Sequence, residues 1–377
     1  MNEIYTNFSA INLPMFIITW VTFFVAAVAC FFLQFRFSTE HSGLLGFVRY
    51  CFPFDEWSKK TSAIDVVMYL ASKFMKAVYG VSETFCATFV ALSVEAGLSY
   101  LFPNHTPAAF GFLTIVICSI VIFIVNDFMI FYTHYLQHFV PVLWELHKVH
   151  HSATFLNPAT TDRTHPVGNM FDLLAAAFMV GVTMGVLGFI YGFSIPDLLV
   201  LFFNAKILGS IVIMNVLRHS HFPVSFGPFD RLLLSPHMHQ LHHSSQIQYW
   251  DKNFGDKLSV WDWLFNTAII PAKNETFIYG LGKPEEEEYN DVWGAYLLPM
   301  VKAWRLIKRN TKAALSSDAA GRRLHTLCEG ALWREPGDDS PYPDPVVSPP
   351  KPAETHGMPK PAEAHVIPMV HAVQKQA

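Results

Sequence analysis

Four short stretches of the sequence carry histidines at the spacing of a helix face. Each stretch contains two ligand-type side chains four residues apart, and two stretches contain a further histidine at the third position. Residues i, i+3 and i+4 lie on one side of an α-helix, and imidazole binds iron, zinc, copper and nickel. The spacing therefore predicts four helical segments that each direct metal ligands to one side. The stretches are His134-Tyr-Leu-Gln-His138, His147-Lys-Val-His150-His151, Asn215-Val-Leu-Arg-His219 and His239-Gln-Leu-His242-His243.

The number of these histidines indicates two metal ions. A single zinc site uses three or four protein ligands, whereas the four stretches offer nine histidines. Paired ligands from four helices are typical of a dimetal site in a helix bundle. The stretches contain no cysteine, which argues against an iron–sulfur cluster. Isolated histidines elsewhere are expected to be ordinary polar residues: His41, His105, His325, His356, His365 and His371.

Helix-start signals precede two of the four stretches. Pro141 lies before the second stretch, and Ser235-Pro236 lies before the fourth. Serine at the N-cap and proline at the first helical position are common where a helix begins. Both signals favour helices at the histidines.

The composition is that of a membrane protein. Hydrophobic residues make up 52% of the chain and charged residues 15%, which is too apolar for a typical soluble protein. The net charge is only −4, and no basic helix or stripe indicates a nucleic-acid partner. None of the five cysteines belongs to a CxxC pair, so no disulfide framework is expected.

Five apolar segments have about the 20 residues that a membrane-spanning helix needs. A sixth segment, Ala63–Val81, is amphipathic and is expected along the membrane interface. The predicted fold is therefore an all-α integral membrane protein with about five transmembrane or interfacial helices. The five segments are Pro14–Phe35, Glu83–Phe102, Phe110–Tyr132, Met170–Phe193 and Pro196–Leu217.

Basic residues predict the orientation of these spans. The segment before the first span contains Glu3 and neither Lys nor Arg, whereas the loop after it contains basic residues such as Arg36 and Arg49. The positive-inside rule then places that loop, all four histidine stretches and the basic stretch 302–312 on the cytoplasmic face.

The chain divides into four predicted regions. Residues 1–109 form an N-terminal transmembrane region, and residues 110–275 form the metal-binding catalytic domain. Residues 276–335 form a cytoplasmic C-terminal region. Residues 336–377 are rich in Pro and Ala and contain the near repeat PKPAETHGMPKPAEAH, which predicts a disordered tail.

The histidine motifs and their order resemble those of the fatty acid hydroxylase / sterol desaturase superfamily. The similarity extends from Asn126 to Pro271, over a third of the chain. The motifs that carry it are ND-x4-YTHYLQH, LWELHKVHHS, THP at 164–166, RHSH, SPHMHQLHHS, DKNFG and WDWLFNT.

The resemblance implies a role for individual residues. The metal ligands would be His134, His138, His147, His150, His151, His219, His239, His242 and His243. Some members of the family have a histidine where this chain has Asn215, so Asn215 is a possible tenth ligand, and His221 and His237 are weaker candidates. Asp127, seven residues before His134, is expected to hydrogen-bond a ligating histidine. His165 is expected either to bind a metal directly or to hydrogen-bond one of the metal ligands. A structural role is expected for Asp251, Asn253, Gly255, Trp261 and Asp262.

The resemblance also implies a cytosolic helical cap that holds the dimetal site, and it implies the reaction. Members of the family use two irons, O₂ and two electrons to hydroxylate or desaturate lipids. The sequence contains no GxGxxG after a strand, so a separate ferredoxin, cytochrome b5 or reductase is expected to supply the electrons. Two alternatives stay open: a metal transporter or other metal-binding membrane protein, and a scaffold with a degenerate site. Transporter ligands lie near the bilayer midplane, whereas these histidines lie at the predicted helix ends.

Overall fold

The computed structural model describes residues 25, 28, 44–211, 215–272, 275–282 and 285–315. This part of the chain is helical, with two isolated β-bridges and no named strand. The predicted first span and the predicted tail lie outside it, apart from residues 25 and 28. Three short 3₁₀ helices cover Pro158–Asp162, Gly227–Arg231 and Ile247–Tyr249. The α-helices are α1 (Leu44–Cys51), α2 (Phe54–Trp57), α3 (Lys60–Leu101), α4 (Phe112–Phe139), α5 (Pro141–His151), α6 (Pro166–Tyr191), α7 (Ile195–Ile211), α8 (Asn215–Arg218), α9 (Pro236–His242), α10 (Val260–Leu264), α11 (Glu285–Glu288) and α12 (Val292–Leu315).

Three helices among the described residues are long and apolar enough to cross a membrane. They are Ser82–Leu101 within α3, all of α4 and all of α6, and they coincide with three of the five predicted spans. The fifth predicted span, Pro196–Leu217, falls on α7 and α8, with residues 212–214 between them outside the described part of the chain.

The segment Ala63–Val81 differs from its predicted position along the interface. It continues directly into the following span, and together they form the single 42-residue helix α3. The reason is local, because the sequence has no proline between Lys60 and Leu101 to interrupt the helix. The helix ends at Phe102, and Pro103 follows it.

Small residues allow α3 and α6 to pack closely. A Cβ atom on Gly181 would lie 2.6 Å from the carbonyl oxygen of Ala87, and one on Gly185 would lie 2.5 Å from that of Ala91. Both distances are too short for a real side chain, so only glycine fits at these two positions. Close approach at small residues is a common way to pack helices in membranes.

Buried polar contacts fix the loop between α5 and α6. Arg163 is almost fully buried and its Nη1 lies 2.8 Å from Asp65 Oδ1 on α3. The other carboxylate oxygen of Asp65 accepts hydrogen bonds of 2.7 Å from Asn157 Nδ2 and Thr160 Oγ1. Burial raises the pKa of Asp65, and the Arg163 guanidinium opposes that shift. These contacts hold the loop against α3, and Arg163 Nε donates a 3.0 Å hydrogen bond to the Val149 carbonyl of the histidine-bearing helix α5.

Candidate metal centre

The nine predicted histidine ligands come together in two groups. Within each group, one ring nitrogen from every histidine lies within 4.8 Å of those of the other members. The groups adjoin, because the stacked rings of His151 and His243, one from each group, have centroids 4.7 Å apart. We call the first group the five-histidine group (His134, His138, His147, His151 and His242) and the second the four-histidine group (His150, His219, His239 and His243).

The helices predicted from the histidine spacing are confirmed. His134 and His138 lie in the last turns of α4, and α5 ends at His151. His219 follows α8 directly, and His243 follows α9. Pro141 and Pro236 are the first residues of their helices, and the Ser235 hydroxyl accepts a hydrogen bond from the Met238 amide. Because α4 and α5 are separated by Val140 alone, two ligand-bearing segments meet at a sharp corner.

The ring nitrogens converge at the separation expected of ligands to a shared cation. In the four-histidine group the Nε2 atom of His219 lies 3.1 Å from that of His150, 3.0 Å from that of His239 and 3.1 Å from that of His243. In the five-histidine group His147 Nε2 lies 3.1 Å from the Nε2 atoms of His134 and His151. Two nitrogens bound about 2.1 Å from one ion at a right angle would be about 3.0 Å apart.

A metal explains this convergence better than hydrogen bonding does. One proton between two imidazoles satisfies a single pair of nitrogens, whereas His219 Nε2 has three close nitrogen neighbours. His242 Nε2 is buried and, among the described residues, has no hydrogen-bond partner. A lone pair in this state is available to a cation. The donor set therefore fits two imidazole-rich metal sites.

Backbone and side-chain partners orient several of the rings from outside. His134 Nδ1 lies 2.8 Å from the Phe254 carbonyl oxygen, and His242 Nδ1 lies 2.7 Å from that of Lys252. When each Nδ1–H donates to its carbonyl, the Nε2 lone pair faces the group. His219 Nδ1 lies 3.1 Å from Thr161 Oγ1 in the same way. His138 Nδ1 lies 3.4 Å from Asp251 Oδ1.

The segment 251–255 that supplies these carbonyls is itself held in a fixed shape. Asp251 and Asn253 have φ angles of 56° and 58°, a left-handed conformation that Asp and Asn adopt more readily than most residues. Asp262 accepts hydrogen bonds from the amides of Phe254 and Gly255, at 2.7 and 2.9 Å. The predicted structural role of this segment thus takes a specific form, because it positions the carbonyls that orient two of the histidines.

Asp127 occupies a different place from the one predicted. Its carboxylate accepts hydrogen bonds from the Lys257 and Leu258 amides and from Trp261 Nε1, and it contacts none of the nine histidines through these bonds. Because Lys257 and Leu258 lie two and three residues after the 251–255 segment, Asp127 anchors that segment to α4. The carboxylate beside a ligand-type histidine is Asp251 instead.

Burial keeps the histidines neutral. It lowers the pKa of His150 to about 3. It also lowers the pKa values of His147, His151, His219, His239, His242 and His243 well below the ordinary 6.5, and the neighbouring imidazoles add to the effect. Neutral imidazole is the form that binds a metal. These seven histidines are therefore in the metal-binding protonation state at neutral pH.

Three other histidines lie outside both groups. The ring nitrogens of His165, His221 and His237 approach the carbonyl oxygens of Tyr296, Tyr50 and Glu275, at 2.9, 2.6 and 2.9 Å. His165 also caps α6 by accepting a hydrogen bond from the Val167 amide. The Nε2 atoms of His221 and His237 each hydrogen-bond a backbone carbonyl oxygen, so the geometry does not support metal binding by these two residues. His165 instead caps helix α6. The Asn215 side chain lies outside the described part of the chain.

A cavity of about 560 Å³ opens onto both groups. It reaches His134 and His147 of the five-histidine group and all members of the four-histidine group except His243. Beside them a buried ion pair joins Arg218 Nη2 to Asp256 Oδ1, at 2.6 Å, and Lys257 Nζ lies 2.9 Å from the other oxygen of Asp256. The Arg218 and Lys257 charges hold the pKa of Asp256 well below its ordinary value, although burial opposes them.

Several residues of this site were not predicted from the sequence. Thr161 and the carbonyl groups of Lys252 and Phe254 carry no metal-binding signature, because any residue has a carbonyl group. Arg218 and Asp256 lie next to predicted motifs, within RHSH and after DKNFG. Their opposite charges are the only feature of the sequence that could have suggested an ion pair. Because the two residues are 38 positions apart, the sequence does not show that they meet.

Comparison with known proteins agrees with the histidine motifs. Residues 119–267 match the family model for fatty acid hydroxylase, and this range includes all nine histidines of the two groups. This match confirms the resemblance that the motifs predicted. No solved structure matches the chain.

The curated relatives act on lipids. An ornithine lipid hydroxylase from Rhizobium tropici is 25% identical over 206 residues, which cover 54% of this chain and 56% of the relative. The alkylglycerol monooxygenase of Caenorhabditis elegans is 26% identical over 168 residues, covering 45% of this chain and 30% of the relative. The human alkylglycerol monooxygenase is 26% identical over 162 residues, covering 42% and 32%. The chain thus matches about half of the first relative and about a third of the other two.

Proposed function

We propose that this protein is a membrane-bound, O₂-dependent oxidoreductase that hydroxylates a lipid C–H bond at a centre of two iron ions. The observation that carries the proposal is the convergence of nine histidines into two adjoining groups that share one cavity. The names of the relatives favour hydroxylation over desaturation. Ornithine lipids and alkylglycerols are the first substrates to test.

The proposed metal ligands are the nine histidines of the two groups, with Asn215 as a possible tenth. Iron supplies the activation of O₂ and the oxidation of the C–H bond when it is bound. Hydroxylation consumes O₂, two electrons and two protons, and yields the alcohol and one water. A separate ferredoxin, cytochrome b5 or reductase would supply the electrons.

The residues of the chain have three tasks in this reaction. The Phe254 and Lys252 carbonyls and Thr161 hold imidazole rings at fixed angles. The apolar side chains of Ile130, Leu173 and Ala176 line the cavity and exclude water around a lipid chain. The membrane-spanning helices α4 and α6 supply these walls, so a lipid would enter from the bilayer.

We further propose that the protein crosses the membrane several times, with the metal centre on the cytoplasmic face. The basic residues that predicted this orientation include Lys302, Arg305 and Lys308, all on α12. Helix α12 packs against α5, because Val149 shares a buried cluster with Ala295. The ligand-bearing helix and the basic helix therefore lie on the same side.

The proposal is tested with the full chain purified in lipid nanodiscs. Iron content is measured, and ¹⁸O₂ is supplied with an electron donor and either ornithine lipid or alkylglycerol. We expect two irons per chain and one ¹⁸O atom in the product lipid. His105→Gln is the matched control, because His105 is exposed and lies outside both groups. Tight zinc binding without oxygen consumption would contradict the proposal and favour the non-enzymatic alternative.

A further inference from the structure

One wall of the cavity carries charged side chains that the proposed reaction does not use. On α4 the lining residues Asn126, Ile130, His134 and Gln137 recur every three or four positions, so one face of the helix follows the cavity. Asn126 is eight residues from His134, which corresponds to about 12 Å along the helix. Glu83 of α3 and Lys206 of α7 line the cavity as well.

These two charged residues form a polar cluster with Asn126. Lys206 Nζ donates to the Glu83 carboxylate and lies 3.5 Å from Asn126 Oδ1. The Lys206 side chain is 38% exposed and that of Glu83 is 18% exposed. Charged side chains on membrane helices are costly and usually functional. Both members of the pair line the cavity, where a charged ligand would reach them.

The depth of the cluster suits a lipid headgroup. Glu83 is the second residue of the span Ser82–Leu101, which places it about 27 Å from Leu101 and near one boundary of the roughly 30 Å hydrocarbon core. The histidine end of α4 lies on the same side, because the short segment 102–111 joins Leu101 to the opposite end of α4. A lipid in that leaflet could place its headgroup at Glu83 and Lys206.

The charges at the membrane end of the cavity favour a headgroup that carries both signs. At the metal end, Asp256 is paired with Arg218 and Lys257. At the membrane boundary the partly buried Glu83–Lys206 pair offers one charge of each sign. A purely anionic headgroup would bring a second negative charge against Glu83, and an uncharged one would leave the pair without compensation for lost water.

We propose that Glu83, Lys206 and Asn126 bind the headgroup of the lipid substrate and that this headgroup is zwitterionic. The Glu83 carboxylate binds its cationic part, and the Lys206 ammonium binds its anionic part. The Glu83–Lys206 pair is exchanged for two pairs with the ligand. This site rests on the proposed function, because it fixes the headgroup about 12 Å along α4 from His134, on the bilayer side of the metals. The oxidised carbon is then one that extends from the headgroup toward the histidine end of the cavity.

The test measures lipid retention without turnover. The iron-loaded full chain is placed in nanodiscs of phosphatidylethanolamine, phosphatidylglycerol and diacylglycerol in equal amounts. The protein is then extracted, and the retained lipids are quantified by mass spectrometry. We expect the zwitterionic phosphatidylethanolamine to be enriched about tenfold, the value of one charged hydrogen bond. Equal retention of the three lipids, or enrichment of either other lipid, would overturn the proposal.

Variants separate headgroup binding from helix packing. Glu83→Gln and Lys206→Met should each abolish the enrichment, and Lys206→Arg should keep it. The exchange variant Glu83→Lys/Lys206→Glu keeps an ion pair between the helices, but the positive charge is then on α3 and the negative charge on α7. We expect it to melt like the wild type, to keep its iron and to lose the enrichment. Full retention by the exchange variant would show that the pair only joins the helices.

The same experiment distinguishes failure of this site from failure of the proposed function. Lipid retention depends on neither O₂ nor electrons. A wild-type chain that enriches phosphatidylethanolamine but oxidises no lipid would contradict the proposed function and leave the headgroup site standing. A chain that oxidises lipid with an unchanged KM in Glu83→Gln and Lys206→Met would contradict the headgroup site alone.

Discussion

The two histidine groups are alike in composition but differ in how they are held. In the five-histidine group, His134 and His242 are oriented by carbonyl groups of the 251–255 segment, and His138 lies beside Asp251 of that segment. In the four-histidine group, Thr161 approaches His219. The Nδ1 atoms of His239 and His243 have no hydrogen-bond partner among the described residues.

The two groups also differ in their contact with the cavity. Three of four histidines in the four-histidine group line it, compared with two of five in the other group. A metal site with fewer protein ligands, fewer hydrogen bonds to the outer nitrogens of those ligands and a larger opening to a cavity is typical of a centre that leaves coordination positions free for O₂ or substrate. We therefore expect the five-histidine group to hold its metal more tightly and the four-histidine group to be closer to the substrate.

Removal of one ligand from each group gives the largest expected effect. His242→Ala and His239→Ala should each reduce lipid oxidation by more than about 100-fold, because loss of an outer partner alone costs about 10- to 100-fold. Iron analysis should show that each variant keeps the ion of the other group. Loss of both ions from either variant would mean that the groups bind metal as one unit. His237→Gln is the control, since His237 lies outside both groups.

Loosening the 251–255 segment should affect mainly the five-histidine group. Asp262→Ala removes the acceptor for the Phe254 and Gly255 amides. We expect about 10- to 100-fold weaker metal binding at that group, measured by competition with a chelator. Asp230→Ala is the matched control, because buried Asp230 also accepts an amide hydrogen bond, from Phe226, away from the histidines. Equal weakening by both variants would point to a general loss of stability.

Acid should destabilise the metal-free chain. Burial depresses the pKa values of the histidines at the centre, that of His150 to about 3. Above pH 6.5 the folded and unfolded histidines are both neutral, so no stability is lost there. As the pH falls below 6.5 the unfolded chain binds protons that the folded chain does not, and each such histidine costs about 1.4 kcal/mol per pH unit. Thermal unfolding of metal-free protein at pH 7 and pH 5.5 measures this loss, and equal melting temperatures would contradict it.

The smallest expected effect comes from the outer partner of the four-histidine group. Thr161→Val removes the hydroxyl that approaches His219, and we expect metal binding to weaken by about tenfold or less. Comparison of the loss of metal affinity in Thr161→Val with that in Asp262→Ala then shows which group depends more on the hydrogen bonds that orient its histidines. Thr161→Ser retains the hydroxyl and should bind metal like the wild type. A larger loss in Thr161→Val than in Asp262→Ala would reverse the ranking.

The sequence by itself determined the histidines that come together and the helices that carry them. The i,i+3,i+4 spacing is a local property of an α-helix, and so are the starts at Pro141 and Pro236. Three spans were predictable for the same reason, because length and apolarity are read within one segment. The division of His150 and His151 between two groups was not predictable, since it depends on which helix faces each ring.

Only the tertiary structure decided the contacts between distant parts of the chain. Asp127 was expected beside a histidine, but Trp261 and two backbone amides, 130 or more positions away, bind it instead. The carbonyls that orient His134 and His242 belong to residues whose types carry no signal. Lys206 and Glu83, 123 positions apart, meet at the cavity wall. Spacing along one helix is set by its geometry, whereas partners across helices are set by the packing of the whole chain.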